Sequence, residues 1–196
     1  NTNSYFGDLS AIIIDNLPLW AELGSTPSYK VSLMPEWEAK MEAIIDETLD
    51  EKVTSLAGVP SWMLVLLENV LRKTKKTSIN EVWPFVEVYF HGGVSFHPYR
   101  EQFEKLFSGS KLNFFETYNA SEGFFGIQDS NYSNELLLML DYGIFYEFIP
   151  MNEYYGLESN AVLTLEDIEL DKEYALVIST SAGLWRYIIG DTVKFV

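Results

Sequence analysis

The sequence has no cysteine in 196 residues, which excludes disulfides, zinc-thiolate sites and thiol nucleophiles. It has two histidines, His91 and His97. Neither adjoins a nucleophile elbow, because no G-x-S-x-G stretch occurs, and a Ser/His/Asp hydrolase is set aside. No spacing of His with carboxylates marks a metal centre. Cations are few: 13 Lys and Arg stand against 29 Asp and Glu, for a net charge of −16. That balance argues against nucleic acid as a partner, which would need a broad basic face. It leaves room for a nucleotide, whose phosphates backbone N–H groups and a metal ion can hold. No run reaches the roughly 18 apolar residues of a membrane helix, and the longest, WMLVLLENVL, is broken by Glu68 and Asn69. No membrane partner is expected. Repeats and low-complexity segments are absent. There is no initiating Met, and both NTNSYFGDLS and GDTVKFV read as mid-protein sequence; the expectation is an internal fragment. With no signal peptide visible, a cytoplasmic location is the default. The glycosylation tripeptides at Asn119 and Asn131 are common by chance.

Core material is plentiful, with 47% apolar residues, 13 Phe, 12 Tyr and five Trp. In PEWEAKMEAIIDETLDE, Pro35 stands at a first helical position. Trp37, Met41, Ile44, Ile45 and Leu49 then mark one helical face. KVTSLAGVP reads as a strand running into a loop. PSWMLVLLENVLRKT opens on Pro60 and closes on basic residues, as a buried helix does. FVEVYF (85–90) is a strand punctuated by HGG, HPYREQFEKLF a helix capped by His97, and KLNFFETY another strand. Strands alternating with helices imply a parallel sheet with flanking helices. After Gln128 the rhythm changes. ELLLML, GIFYEFIPM, YALVISTSA and LWRYIIGDTVKFV are strands with no convincing helix between them, an antiparallel β subdomain. The expected organisation is an α/β nucleotide-binding layer over 1–128 and a β subdomain over 129–196.

In such sheets ligands bind beyond the carboxyl ends of strands. Two glycine-bearing loops fall there: HGG, with Gly92 and Gly93, and YNASEGFFG (118–126). In the second, Ser121 has a hydroxyl to offer a phosphate oxygen, Glu122 a carboxylate for magnesium, and Tyr118 an aromatic face for a base. A strain-relieving turn is the plain alternative. In WRYIIGD, Gly190-Asp191 reads either as a hairpin turn, the commoner use, or as an Asp accepting from a ribose diol. The RKTKK cluster suits a solvated helix end, and the acidic run from Glu166 to Asp171 a solvated loop. Of Phe124 and Phe125, one is expected in the core.

Together YNASEGFFGIQ, YGIFYEFIPM and EYALVISTSAGLWRYIIGDTVKF, in that order, resemble the auxin-responsive Gretchen Hagen family of acyl-acid amido synthetases. That family falls within the adenylate-forming superfamily of acyl-CoA synthetases, adenylation domains and luciferases. The resemblance covers roughly residues 80–196. It implies ATP and Mg2+ as cofactors, with a small-molecule carboxylic acid and an amine, such as an amino acid, as partners. The acid is first activated as an acyl-adenylate and then transferred to the amine. Carried over by position, Tyr118 packs on adenine, Ser121 contacts the α-phosphate, Glu122 holds magnesium and Asp191 binds the ribose. Gly92 and Gly93 floor the pocket, and Gly123 belongs to the nucleotide loop. The chain departs from the superfamily at Ile188, where an arginine is usual; Arg186 lies two residues earlier. The upstream phosphate loop and the small C-terminal domain with its lysine are not in this sequence. An acyl-CoA ligase with the same first step, and a non-catalytic nucleotide- or acid-binding domain, are the alternatives. Oligomeric state is left open.

Overall fold

The computed structural model describes residues 9–108, 112–154 and 162–196. The chain divides into two compact units, one running to Glu116 and the other from Thr117 to Val196. This division falls before the expected change of rhythm at 129, because antiparallel pairing begins within the strand that carries Tyr118.

In the first unit, short helices α1 (Leu9–Asp15), α2 (Leu19–Leu23) and α3 (Tyr29–Ser32) precede α4 (Trp37–Thr48). Glu36, not Pro35, starts α4: its carboxylate accepts from the Glu38 and Ala39 amides, satisfying donors a helix start leaves open. Met41, Ile45 and Thr48 face inward, whereas Trp37 packs near the surface against Trp62. Strand β1 (Ser55–Ala57) leads to α5 (Pro60–Thr74), whose two ends fall where the proline and the basic residues predict. Lys75 closes α5 in a left-handed conformation, and Lys73 pairs with Asp46 at the helix end. A 3-10 turn, Ile79–Glu81, carries a capping box between Ser78 and Glu81. Strand β2 (Val88–Gly92) pairs in parallel with β1. It starts later than FVEVYF suggests, and Phe85 is exposed. Helix α6 (Arg100–Leu106) is capped by Tyr99 without a side-chain bond, so the expected His97 cap is not formed. The core collects Leu67, Val70, Ile79, Trp83, Tyr89 and Phe103. Two of its polar side-chain atoms reach carbonyls: Trp83 Nε1 donates to that of Thr48 at 2.8 Å, and Tyr89 Oη to that of Gly58 at 2.8 Å.

Strand β3 (Asn113–Ala120) passes into the second unit. There it pairs antiparallel with β4 (Gly123–Ile127), which pairs with the two-residue β5 (Leu137–Leu138). Strand β6 (Ile144–Pro150), helix α7 (Met151–Tyr154), β7 (Glu173–Thr180) and β8 (Tyr187–Lys194) follow. Strands β6, β7 and β8 form an antiparallel sheet in that order. The central strand β7 is buried from Tyr174 to Ile178, a continuous apolar run covered on both faces. Phe125, Tyr146, Phe148, Tyr174, Leu176 and Ile178 make the core of this unit. The parallel pairing with helices followed by antiparallel β structure is the fold class expected from the rhythm of the chain. The sequence pattern shows no sign of the short α7, and the connector 158–173 lies partly outside the described residues, with Leu163 bridging to Phe148. The acidic run behaves as solvated loop: Asp167 accepts from Thr164, Glu169 pairs with Lys172 and Asp171 with Lys194.

Candidate functional site

YNASEGFFG is a hairpin rather than an open loop. Asn119 faces Phe124, Ala120 faces Gly123, and only Ser121 and Glu122 form the turn. The usual two-residue hairpin turns need a positive φ. Neither Ser121 nor Glu122 has one. The register instead shifts between Tyr118 and Asn119, where Tyr118 pairs with Gly126, and a shift of this kind adds local twist. Gly123 sits under close packing rather than at a positive φ. A Cβ there would stand 2.9 Å from Ile144 Cδ1 and 3.0 Å from Phe125 Cε1. Of the paired phenylalanines, Phe125 is fully buried while Phe124 packs against Tyr142.

Gly190-Asp191 is not a turn. Both residues lie inside β8, at an irregularity of its pairing with β7. Ala175 faces Thr192 and Val177 faces Ile188. One residue of β7, Leu176, therefore stands against Ile189, Gly190 and Asp191. Gly190 takes φ 96° to accommodate the excess, the conformation for which glycine is suited. The bulge turns Asp191 toward the hairpin, where Tyr118 Oη donates to Asp191 Oδ2 at 2.6 Å. A Cβ at residue 190 would meet nothing within 4 Å, so Gly190→Ala isolates the backbone effect. It is expected to cost about 1–3 kcal/mol, read as a lowered Tm; an unchanged Tm would show that the bulge does not need glycine.

The structure thus brings together Tyr118 and Asp191, which are distant in sequence, and sets Ser121, Glu122 and Gly123 at the adjoining turn. Burial, then the hydrogen bond to Asp191, then the carboxylates of Asp191 and Glu122, push the Tyr118 phenol well above its ordinary range. It stays protonated and acts as a donor. Among the described residues, no donor reaches the Ser121 hydroxyl or the Glu122 carboxylate. Arg186 points away from this group. Its Nε donates to Glu147 Oε2 at 3.0 Å, and its amide to Ser179 Oγ. Ile188, at the position where the resemblance implies an arginine, is exposed on β8.

Gly92 and Gly93 belong to the first unit. Gly92 ends β2, and Gly93 follows with φ 80°. The adjacent His91 is buried and stacks on Phe96 with ring centroids 3.9 Å apart. Burial, then the Arg100 charge, lower its pKa to about 4. A neutral, stacked imidazole is a packing residue at neutral pH. No group of three or more metal-ligating side chains occurs among the described residues.

Sequence reasoning missed a cleft of about 490 Å3 in the second unit, lined by Leu140, Ile144, Phe145, Ser179, Ser181 and Trp185 among others. Its walls come from strand ends remote in sequence. Ile144 both lines the cleft and closes on Gly123, so the cleft adjoins the hairpin turn.

Residues 1–112 match the family model described as the GH3 family N-terminal domain, and residues 137–196 that of the GH3 family central domain. The chain is 28% identical over 164 residues to the indole-3-acetic acid-amido synthetase GH3.4 of Arabidopsis thaliana, covering 77% of this chain and 26% of that protein. It is 29% identical over 181 residues to the jasmonoyl–L-amino acid synthetase JAR6 of Nicotiana attenuata, covering 81% and 30%. The chain thus spans between a quarter and a third of these relatives' length. The fold matches that of the GH3.15 acyl acid amido synthetase at TM-score 0.67 and 16% identity, over 86% of this chain and 39% of that one. It also matches a 2-hydroxyisobutyryl-CoA ligase at TM-score 0.57 and 14% identity, over 81% and 33%.

Proposed function

Because the chain belongs to the GH3 family, we propose that the full-length protein activates a carboxylic acid with ATP and transfers the acyl group to an amine, typically an amino acid. The Tyr118–Asp191 hydrogen bond, which joins the hairpin to the β8 bulge, is the observation that carries this reading. It gathers an aromatic ring, a carboxylate and the uncommitted Ser121 and Glu122 into one small region. Asp191 accepts from the ribose hydroxyls and the Tyr118 ring packs on adenine. Ser121 donates to an α-phosphate oxygen, where negative charge grows as the substrate carboxylate attacks. Glu122 would hold Mg2+, which when bound neutralises charge on the phosphates.

In the first step the acid's oxygen bonds to the α-phosphorus and the bond to pyrophosphate breaks. In the second the amine attacks the acyl carbonyl, AMP leaves and an amide forms. Neither step needs a side-chain nucleophile, which accords with a chain of two histidines and no cysteine. No basic residue is among those lining the cleft, so it suits the apolar body of the acid rather than its carboxylate. The test is product analysis with a panel of acids and amino acids. AMP, pyrophosphate and an acid–amine conjugate are expected. ADP and phosphate, or a thioester formed only with CoA, would overturn the reading. The exposed Ile188 and the committed Arg186 favour a second reading, a nucleotide-binding domain without turnover. That reading predicts AMP binding with no conjugate from any acid.

A further inference from the structure

The ring of Tyr118 accounts for a base contact, but its hydroxyl does something the ring alone does not require. It bonds to Asp191 across 73 positions of sequence, and both partners sit at departures from regular pairing: the shift at Tyr118/Asn119 and the β8 bulge. The ring is fixed from behind by Phe125, 5.0 Å away, which stands edge-on to Tyr146 at 6.5 Å. A phenol this well anchored donates in a fixed direction. Asp191 itself is on the solvent side of β8, and a carboxylate there would otherwise rotate freely. Two oxygens offer about four acceptor positions. Tyr118 engages Oδ2, and among the described residues no donor reaches Oδ1.

We propose that Tyr118 is a positioning residue of the nucleotide site: its hydroxyl fixes the Asp191 carboxylate so that the open acceptor positions meet the two adjacent hydroxyls of a ribose. This rests on the reading of Asp191 as the ribose contact. Fixing the carboxylate in advance removes a rotamer cost that nucleotide binding would otherwise bear. It also sorts ligands. A diol-bearing sugar is recognised, and a sugar without hydroxyls leaves the Asp191 acceptor unmatched.

The test measures binding of AMP and of 2′,3′-dideoxy-AMP to the full-length protein by calorimetry, without reliance on turnover. Four forms are compared: wild type, Tyr118→Phe, Asp191→Ala and the double variant. Wild type should prefer AMP by roughly tenfold or more. Asp191→Ala should remove the preference, and Tyr118→Phe should reduce it to within about threefold while leaving dideoxy-AMP affinity unchanged. On the Asp191→Ala background, Tyr118→Phe should change nothing further. A Tyr118→Phe variant that keeps the full preference overturns the positioning role and leaves Tyr118 as a stacking ring. An Asp191→Ala variant that keeps it overturns the ribose reading instead. A Tyr118→Phe variant with weakened binding of both ligands and a Tm lowered by more than a few degrees marks a structural role, and also overturns the proposal.

Discussion

Replacing Glu122 with Ala in the full-length protein is expected to lower acid-dependent exchange of pyrophosphate into ATP by about 10²–10³-fold, with little change in stability. Both halves of that expectation come from the hairpin. Glu122 occupies one of the two turn positions, and among the described residues its carboxylate takes no hydrogen bond or ion pair. Removing it strips no partner from the fold, and surface changes of this kind stay within about 0.5 kcal/mol. Yet it stands beside the Tyr118 phenol closely enough to help raise its pKa, so its charge is directed at the site. Loss of exchange with an unchanged Tm would separate a role in chemistry from a role in folding. Near wild-type exchange would refute the magnesium assignment.

Phe125→Ala should have the largest effect on stability, about 3–5 kcal/mol in chemical denaturation. The side chain is fully buried and touches both Tyr118 and Tyr146. Its ring also lies against Gly123, so its removal opens space directly under the turn. The hairpin lies on this core, and weakened nucleotide binding should accompany the lost stability. A cost below about 1 kcal/mol would mean that the surroundings close over the site, and that the ring is not the support described above.

How much of this was legible in the sequence depended on how local the determining signal was. Helix α5 was readable to both ends, because Pro60 starts it and a basic turn closes it; these act within a few residues. The hairpin does not read as one in the sequence. Its two-residue turn carries none of the Asn-Gly or Asp-Gly signals of primed turns, and Gly123 serves close packing against Ile144 rather than backbone freedom. Gly190-Asp191 looked like a turn for the converse reason. Gly190 does take a positive φ, but whether that makes a turn or a bulge is decided by β7 on the other side of the ladder. The same holds for α6, where Tyr99 rather than His97 takes the cap. Candidate roles for Ser121, Glu122 and Asp191 came from resemblance. The partnership of Tyr118 with Asp191 came only from the fold, since nothing local couples residues so far apart. Of the cleft beside the turn, no single stretch gave warning.

Whether the hairpin and the β8 bulge hold the nucleotide is decided by photolabelling the full-length protein with an azidoadenine analogue of ATP, followed by peptide mapping. Label is expected on the peptide carrying Tyr118 to Phe125, suppressed by ATP and diminished in Asp191→Ala. Label that ATP suppresses but that falls only on other peptides would contradict that placement.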